Sequence, residues 1–427
     1  MKILQVNKFH YPRGGADKYY LDLSASLEKA GHEVANFSMN HPKNLESPWS
    51  KYWLSRVSFN ENLGVFSRFK IIGRVIYSCE AKRKFKKLIK DFKPEIIHLH
   101  NIYHHISPSI LSLARRYKIP VIMHLHDYKL ICPNHTLFVR GKNCDSCRGQ
   151  KYFNCVKKRC LKNSFFGSLL VAIEMYIHHR LLKIYQKNIS LFICPSEHMR
   201  QTCLSFGWDK IAKDKFIVVY NSYSPELITK KSNLDEKKNL NLESEPNSQE
   251  GYLLYFGRLG EEKGIDTLLN ALPATKEKLK IVGSGEEEGK LKEKVKSLNL
   301  RAEFLGYESG EKLRLLITKA KAIVMPSIWQ ENMPLSLLEA MSLGKAVIAS
   351  RIGGFPEIIE NEVNGFLFEP GDFKDLGAKI NDLRDYDLHL IGAKAKERVK
   401  DLSPENNLKE IIEVYKALIL YVRAKPF

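Results

Sequence analysis

The chain has 427 residues, of which 44% are hydrophobic and 10% aromatic, an ordinary composition for a folded globular protein. This length predicts two domains rather than one hydrophobic core. The formal net charge of +20 calls for an anionic partner: nucleic acid, an anionic membrane surface or phosphorylated small molecules. A membrane surface is favoured over nucleic acid, because no nucleic-acid-binding motif accompanies the charge.

Two apolar stretches are excluded as targeting or spanning segments. The apolar part of "MKILQVNKF" is too short for a secretion signal and reads better as a first strand. The longest other stretch, 165–182, is broken by charged residues and histidines before it reaches the roughly 18 residues that span a bilayer. We therefore expect a cytoplasmic protein, bound peripherally to the inner face of the membrane.

The first half of the chain alternates between strand and helix patterns. Helical spacing of apolar residues runs from Gly15 to Ala30 and ends at Gly31. Short apolar runs typical of buried parallel strands lie at 1–7, 95–101, 121–127, 191–196 and 215–221. This alternation predicts a doubly wound, Rossmann-like domain at 1–225.

The second half repeats this architecture after a polar stretch at 226–250, which predicts a linker or loop. Strand patterns then lie at 252–258, 278–285, 302–307, 321–327 and 346–351. They predict a second Rossmann-like domain at 251–403, facing the first across a cleft. A final helix at 404–427 could pack back on the first domain.

A helix start follows the strand predicted at 321–327. Asn332 is the predicted N-cap, Pro334 suits the first turn and Gly344 stops the helix. Free N–H groups and a partial positive charge at such a start suit phosphate oxygens. The predicted phosphate-binding segment is therefore Asn332, Met333, Pro334 and Leu335.

Two glutamates, Glu331 and Glu339, flank this helix start and lie eight positions apart. Glu339 would stand about 7–8 Å along the helix axis, a separation that matches a nucleotide's diphosphate and its ribose. Because a carboxylate accepts well from sugar hydroxyls, Glu339 could bind the ribose and Glu331 the group that the diphosphate carries. The alternative is one exposed glutamate before a helix and another on its surface.

Two cations bracket a glycine turn in "YFGRLGEEKG". Arg258 and Lys263 follow a strand's carboxyl end, where open α/β sheets bind ligands, and could stabilise a departing diphosphate. Gly257 belongs to the same turn, and Gly283 and Gly285 form another after the next strand. The alternative is a pair of surface charges.

Together these motifs resemble the family 4 glycosyltransferases of the GT-B fold. The E-x7-E spacing is accompanied by "GRLGEEKG", "IVGSGEEEGKL", "PSIWQEN" and "EAMSLGKAVIAS", densely over 252–371 and more thinly over 1–35 and 121–130. The resemblance implies a retaining, hexosyltransferase-type enzyme that moves a sugar from a nucleoside diphosphate sugar to a hydroxyl of a glycan or lipid-linked acceptor. It implies cell-surface polysaccharide or lipopolysaccharide biosynthesis, with no cofactor for catalysis.

The resemblance also implies roles for residues of the second domain. Arg258 and Lys263 match the basic pair on the donor diphosphate. Glu331 matches the glutamate on the donor sugar, and Glu339 matches the glutamate that holds the ribose. Met333 departs from the family, which often has Pro-Phe at 332–333.

In the first domain, the resemblance points to two short motifs. His126 of "HLHDY" matches the histidine beside the donor sugar. Gly14 and Gly15 match a glycine turn that approaches the phosphates or the acceptor. A histidine near a strand end is also often packed and hydrogen-bonded without a further role.

A basic insertion at about 132–162 contains five cysteines within a span of 29 residues. The spacing of Cys144, Cys147, Cys155 and Cys160 predicts a structural Zn²⁺ site, because C-x2-C in a reducing compartment usually indicates metal. An iron–sulfur cluster is the less favoured occupant. The alternative is reduced, unligated thiols in a basic loop.

Other basic segments are candidates for binding an anionic acceptor or a lipid surface. They are the insertion itself and the aromatic, basic stretch 47–59. A third cluster, at 81–93, is equally well explained as a solvated helix face.

Two other functions remain open from the sequence. A sugar-nucleotide epimerase or hydrolase would need the same diphosphate site but no acceptor. A zinc-knuckle nucleic-acid-binding protein would explain the charge and the cysteines, but it leaves Arg258, Lys263, Glu331 and Glu339 unexplained.

Overall fold

The computed structural model describes residues 1–57, 73–224 and 251–424. These residues form two compact units. The first consists of Met1–Val139, Cys144–Asn221 and Glu405–Phe427, and the second of Arg140–Asn143 and Ser222–Pro404. The linker predicted at 226–250 lies outside the described residues.

The strands of the described residues are numbered in chain order. They are β1 (Lys2–Val6), β2 (Glu33–Phe37), β3 (Ile96–Leu99), β4 (Val121–His124), β5 (Phe138–Val139), β6 (Lys142–Asn143), β7 (Leu191–Cys194), β8 (Phe216–Val218), β9 (Leu253–Phe256), β10 (Leu279–Val282), β11 (Ala302–Gly306), β12 (Ala322–Met325), β13 (Val347–Ser350) and β14 (Phe366–Phe368). The pair β5 and β6 forms a small two-stranded sheet.

The α-helices are numbered in the same way. They are α1 (Gly15–Lys29), α2 (Cys79–Phe92), α3 (Leu111–Arg116), α4 (Phe153–Lys157), α5 (Phe165–Tyr176), α6 (Ile184–Asn188), α7 (Glu197–Cys203), α8 (Asp209–Ala212), α9 (Ile265–Ala271), α10 (Glu288–Ser297), α11 (Gly310–Lys319), α12 (Leu335–Ser342), α13 (Phe355–Ile358), α14 (Phe373–Asp382), α15 (Leu388–Arg398) and α16 (Pro404–Ala424). None of these described helices is long and apolar enough to span a membrane.

The first unit is built on a six-stranded parallel sheet in the order β2-β1-β3-β4-β7-β8. Its inner strands β3 and β4 are buried along their whole length, as expected for a parallel sheet covered by helices on both faces. The strand order reverses between β1 and β3. This is the point at which such sheets bind ligands, beyond the carboxyl ends of the strands.

The second unit repeats the architecture with the order β11-β10-β9-β12-β13-β14, again all parallel. Here the order reverses between β9 and β12. The predicted α/β fold class, two Rossmann-like sheets, is therefore confirmed in each unit. The segments that follow β9 and β12 carry the predicted phosphate-binding residues.

The C-terminal helix α16 belongs to the first unit. Its Tyr415 is fully buried, with the hydroxyl 3.3 Å from Gln5 Nε2 and 2.6 Å from His98 Nδ1. One turn from the helix start, Asn407 accepts a hydrogen bond from the Tyr19 hydroxyl at 3.0 Å. The last helix is thus tied to β1, α1 and β3 by buried polar contacts.

The sequence patterns missed four strands and misplaced one helix start. Strands β2 and β14 of the six-stranded sheets and the short pair β5 and β6 were not predicted. The helix with its predicted N-cap at Asn332 begins at Leu335, with Pro334 in the N-cap position and no side-chain cap. The predicted stop is confirmed, because Gly344 follows the helix with φ +71°.

Candidate functional site

In the second unit, two glycine turns pack closely where β9 and β10 end. A Cβ atom on Gly283 would lie 1.9 Å from the carbonyl oxygen of Gly257, and one on Gly285 would lie 2.2 Å from that of Leu259. Backbone hydrogen bonds join the two turns, including Leu259 N–H to the Ser284 carbonyl at 3.0 Å. Only glycine allows this contact, which places the Arg258 segment beside the second turn.

Glu331 is a buried carboxylate, not the exposed residue of the alternative interpretation. It is 5% exposed and lies in the segment between β12 and α12. Lys263 Nζ and the Ser327 hydroxyl each lie 2.6 Å from its Oε1. The Lys263 ammonium also lies 5.3 Å from the centre of the Trp329 ring. The structure thus brings together Lys263 and Glu331, which are 68 positions apart in the chain.

The environment keeps Glu331 ionised. Burial acts to raise the pKa of Glu331, but the positive charge of Lys263 and hydrogen bonds from Lys263 and Ser327 outweigh it. The pKa therefore lies below its ordinary value of 4.5. At neutral pH the group is a carboxylate that can accept hydrogen bonds from sugar hydroxyls and cannot donate a proton.

Arg258 lies at the surface of the same region, with half of its side chain exposed. Its guanidinium contacts the carboxylate of Glu262 and lies 3.3 Å from that of Glu286. The Tyr255 hydroxyl donates to the Arg258 carbonyl at 2.7 Å, which fixes the backbone of the turn. An exposed guanidinium held in this way is available to an incoming anion.

The start of α12 presents its first N–H groups directly after Glu331. Asn332 and Met333 are buried, and Pro334 and Leu335 are partly exposed. Glu339 is the fifth residue of the helix and is 6% exposed, so it also differs from the surface glutamate of the alternative interpretation. Glu331 before the helix start and Glu339 inside the helix are therefore both buried carboxylates.

Two glycines that the sequence analysis did not single out position these side chains. Gly353 has φ +62°, and a Cβ atom there would lie 2.1 Å from the Glu331 carbonyl oxygen. Gly264 has φ +66°, and its Cβ would lie 1.9 Å from the carbonyl of Pro326. The signal for Gly353 was present in "GGFPEII", where a glycine pair follows strand β13. Glycine is required at both places by conformation and by space.

In the first unit, His126 belongs to a stack of four histidines from β3 and β4 and the residues after them. Ring centres lie 4.4 Å apart for His98 and His100 and 4.5 Å apart for His124 and His126. Burial holds the pKa of His126 well below its ordinary value, with a smaller contribution from neighbouring charges. The stack is therefore neutral at pH 7.

Hydrogen bonds define the tautomer of His126. Gln5 directs Nε2 to the Tyr415 hydroxyl and accepts at Oε1 from His100 Nε2 at 2.8 Å. A neutral His100 with its proton on Nε2 has a lone pair on Nδ1, which lies 2.8 Å from His126 Nε2. His126 then donates from Nε2, and its Nδ1 is the atom with the lone pair.

Gly14 and Gly15 stand at the start of α1, where Gly14 is the N-cap residue. The φ of Gly14 is −163°, an extended conformation open to any residue, and a Cβ atom there would meet nothing within 4 Å. Space for a ligand is thus present, while the local backbone alone does not demand glycine.

Three of the stacked histidines, His98, His100 and His124, form the one group of described residues whose possible ligand atoms all lie within 4.8 Å of one another. Their geometry fits a stack better than a metal site. Lone pairs of imidazole lie in the ring plane, and these rings are stacked with interplanar angles of 15–27°. Both nitrogens of His100 are also hydrogen-bonded within the protein.

The predicted zinc ligands are brought together in the first unit, with one addition. One small cavity is lined by all four predicted ligands and by a fifth cysteine, Cys132. Its cysteines are Cys132, Cys144, Cys147, Cys155 and Cys160. No three of these thiols meet the 4.8 Å spacing found for the histidines. Burial raises the pKa of Cys132 to about 11 and that of Cys147 to about 12.

The stretch 47–59 was a candidate for binding an anionic acceptor or a lipid surface, but two of its described aromatic side chains, Tyr52 and Trp53, are not exposed. Trp53 and Tyr52 are buried, and the indole N–H groups of Trp53 and Trp49 donate to the Asn36 and Val34 carbonyls at 2.9 and 3.2 Å. These rings cover the edge of the sheet at β2. Residues 58 and 59 of the stretch lie outside the described residues.

The family assignment follows from comparison with known proteins. A family profile described as "Glycosyltransferase Family 4" matches residues 13–227, half of the chain. The chain belongs to this family. A second profile, "Glycosyl transferases group 1", matches residues 236–401 of this family 4 glycosyltransferase. The predicted family and the predicted class of enzyme are therefore confirmed.

Individual relatives agree with this assignment. An uncharacterised 42.6 kDa protein in the cps region of Klebsiella pneumoniae is 27% identical over 88% of the chain and 91% of its own length. The structure of HepE from Anabaena in complex with UDP-glucose has a TM-score of 0.64 at 20% identity, covering 98% of this chain and all of that chain. That of WaaG, a glycosyltransferase involved in lipopolysaccharide biosynthesis, has a TM-score of 0.61 at 15% identity, covering 96% and 99%. The fold of this family 4 glycosyltransferase is GT-B, as predicted.

Proposed function

We propose that the protein transfers a sugar, with retention of anomeric configuration, from a nucleoside diphosphate sugar to a hydroxyl of a glycan or lipid-linked acceptor. The observation that carries this proposal is the buried Glu331 carboxylate, held by Lys263 and Ser327 at the start of α12. A buried, oriented hydrogen-bond acceptor beside a helix N-terminus is suited to one ligand that carries both hydroxyls and phosphates.

The donor binds in the second unit. Its diphosphate lies against the first N–H groups of α12 and is neutralised by Arg258 and Lys263. Glu339 accepts hydrogen bonds from the ribose hydroxyls, and Glu331 accepts from the hydroxyls of the transferred sugar. UDP is the nucleoside diphosphate that we propose for the donor, because HepE, which shares the fold, was solved with UDP-glucose.

The reaction exchanges one glycosidic bond for another. The bond between the anomeric carbon and the diphosphate oxygen breaks, and the electron pair leaves with the diphosphate. The acceptor hydroxyl oxygen forms the new bond on the same face, and its proton passes to the departing phosphate oxygen. Arg258, Lys263 and the helix start stabilise the charge that develops on the leaving group.

His126 is the residue of the first unit that we propose contacts the donor sugar. Its neutral ring, fixed by His100 and Gln5, offers the Nδ1 lone pair to a hydroxyl of the donor sugar. Gly14 and Gly15 leave room for a phosphate or for the acceptor. Each role rests on the resemblance and on the local geometry of this unit.

The biological setting proposed is the synthesis of a cell-surface polysaccharide or lipopolysaccharide in the cytoplasm, at the inner face of the membrane. Its support is a relative in a cps region, the shared fold of WaaG and the net charge of +20. A polyprenyl- or lipid-linked acceptor would bring the enzyme to an anionic surface.

The first experiment is a thermal-shift screen of UDP-, GDP-, ADP- and CMP-sugars with wild type and Glu339→Gln. We expect one diphosphate sugar to stabilise the wild type and to have little effect on the variant. CMP-sugars lack a diphosphate and should not stabilise either protein. Glu293→Gln, an exposed residue of α10 with the same loss of charge, is the matched control and should respond as wild type.

Two results would contradict the proposal. If no nucleoside diphosphate sugar shifts the wild type, the donor site is absent. If a donor binds and is consumed at an unchanged rate whatever acceptor is supplied, the epimerase or hydrolase alternative replaces the transferase.

We also propose that the cysteine cavity of the first unit holds a structural Zn²⁺. Its support is the convergence of five thiols from a 29-residue segment on one cavity. Binding would release thiol protons and draw the sulfurs together.

A further inference from the structure

Exposed large apolar side chains are concentrated in one short part of the first unit. Of the fourteen such residues in the described ranges, six lie between residues 153 and 182. They are Phe153, Phe165, Phe166, Ile173, Leu181 and Leu182. Scattered exposed apolar residues are normal, but a concentration of this kind marks a surface that is covered in use.

Three of these side chains lie on one side of a continuous helical segment. Helix α5 passes into a wider, π-type turn at Ile177–Leu181. Phe166 is 80% exposed, Ile173 42% and Leu181 74%. Their spacing of seven and eight residues is close to whole helical turns, so they form a stripe about 22 Å long. We call this stripe, with the partly exposed Leu170 and Ile177, the α5 face.

The opposite side of the same helix is held in the core. Val171, Ala172 and Met175 are buried in the first unit. Glu174 is 1% exposed and forms an ion pair with Lys129 at 2.8 Å. The orientation of α5 is therefore fixed by its buried side, and the α5 face cannot turn inwards without breaking a buried ion pair.

Charge around the α5 face is of one sign. Residues 146–196 contain nine lysines and arginines and a single acidic residue, the buried Glu174. Exposed cations lie before and after the face; they are Lys157, Lys158, Arg159, Lys162, Arg180, Lys183 and Lys187. An apolar stripe between two groups of cations is the pattern of a helix that lies in the plane of an anionic bilayer.

We propose that the α5 face docks the enzyme on an anionic lipid bilayer. The apolar side chains enter the boundary between headgroups and acyl chains, and the flanking lysines and arginines contact lipid phosphates. A protein partner fits less well, because protein interfaces are depleted in lysine and five of the seven flanking cations are lysines. The lipid-linked acceptor is part of the proposed function, whereas docking is a separate property with its own measurement.

Docking is tested with the full chain and vesicles of phosphatidylcholine, with and without about one third phosphatidylglycerol, in a flotation assay. We expect binding to the anionic vesicles, weakening with added salt because lipid charge contributes. Phe166→Ser/Leu181→Ser removes the two most exposed apolar side chains of the face and should lower binding about tenfold or more. Reversal of charge at Lys157 and Lys183 should abolish the preference for anionic vesicles.

The matched control is Leu420→Ser/Tyr421→Ser. These side chains are 65% and 56% exposed on α16 in the same unit, so the loss of exposed apolar surface is similar but lies elsewhere. Binding by this variant should equal that of wild type. Donor stabilisation in the thermal-shift screen should be unchanged in every variant, which separates failure of docking from failure of the proposed transfer.

Three outcomes would overturn the proposal. The first is that wild type fails to float with anionic vesicles at low salt. The second is that the Phe166→Ser/Leu181→Ser variant binds as tightly as wild type. If instead wild type self-associates in sedimentation and the variant is monomeric with unchanged vesicle binding, the α5 face is a contact between protein chains.

Discussion

The Lys263 ammonium lies 2.6 Å from Oε1 of Glu331 and shares that oxygen with the Ser327 hydroxyl. The pair joins the segment after β9 to the segment after β12, which are neighbours at the point where the strand order of the second unit reverses. Lys263 is proposed to bind the diphosphate and Glu331 the transferred sugar, and the two residues interact before the donor binds. Donor binding is expected to use this preformed pair, so the carboxylate and the ammonium need no reorientation.

Loss of Lys263 should destabilise the second unit more than loss of an exposed lysine. Lys263→Met leaves the buried Glu331 without its cation, and we expect a cost of about 3 kcal/mol in the free energy of unfolding, measured in urea. Lys312→Met, which removes an exposed partner of Glu308, should cost less than about 1 kcal/mol. Equal costs for the two variants would contradict a coupled buried pair.

Acid should remove the contribution of the Lys263–Glu331 pair to the stability of the folded protein. The pKa of Glu331 lies below its ordinary value of 4.5, so the folded state favours the carboxylate and the pair stabilises fully above that value. As the pH falls through the folded pKa, the carboxylate is protonated and the stabilisation is lost. The stability difference between wild type and Glu331→Gln should therefore be constant from pH 7 to 5 and shrink below pH 4.5; a difference that already changes at pH 6 would contradict this account.

Gly353 offers a test of the backbone that supports Glu331. Gly353→Ala and Gly310→Ala both place alanine at positive φ, +62° and +58°, so each loses about 1 kcal/mol from backbone strain. Only Gly353→Ala also brings a Cβ within 2.1 Å of the Glu331 carbonyl, since nothing lies within 4 Å of that position on Gly310. Donor affinity in the thermal-shift assay should fall for Gly353→Ala alone. Equal affinities would show that the Glu331 backbone is not critical.

The histidine stack should make the first unit sensitive to mild acid. Burial lowers the pKa of His124 from 6.5 to about 3, and it lowers those of His98, His100 and His126 as well. Well below pH 6.5 these histidines are therefore protonated in the unfolded chain but not in the folded unit. As the pH is lowered, the free energy of unfolding then falls by about 1.4 kcal/mol per pH unit for each such histidine. Urea unfolding at pH 7.5 and 5.5 measures this slope.

His124→Gln isolates one member of the stack. It removes one titrating ring, so the loss of stability between pH 6.5 and 5.5 should be smaller than in wild type by about 1 kcal/mol. His389→Gln, on an exposed position of α15, should leave the slope as it is in wild type. An unchanged slope in His124→Gln would mean that the stack takes up protons in the folded state.

Metal analysis of the purified full chain tests the cysteine cavity. We expect about one Zn²⁺ per chain, lost in Cys147→Ser because each structural site needs its four ligands. Cys203→Ser replaces an equally buried thiol outside the cavity and should keep the metal. Cys132→Ser and Cys144→Ser decide which of these two is the spare thiol. A metal-free wild type, or equal metal content in the Cys147 and Cys203 variants, would show that the thiols are unligated.

Much of the fold could be predicted from the sequence because parallel strands buried on both faces are apolar throughout. Runs such as "KILQV" and "AIVM" therefore stand out, and five strands of each sheet were expected from such runs. Strand β2 was missed because "EVANF" has only two large apolar residues, and β14 because "FLF" has only three residues. The start of α12 was placed two residues early, since Asn332 is a favoured N-cap residue whereas the observed N-cap is Pro334, in an extended conformation.

The sequence by itself determined the family, the residue types of the donor site and the basic character of the surface, because these depend on local spacing and on composition. Only the tertiary structure decided that Glu331 is buried against Lys263, that Gln5 and His100 set the tautomer of His126, and that Cys132 joins the other four cysteines. It also showed that Tyr52 and Trp53 are buried and that large apolar side chains of the α5 face are exposed. The physical reason is that burial, ion pairing and exposure are properties of contacts between distant segments, which no local pattern contains.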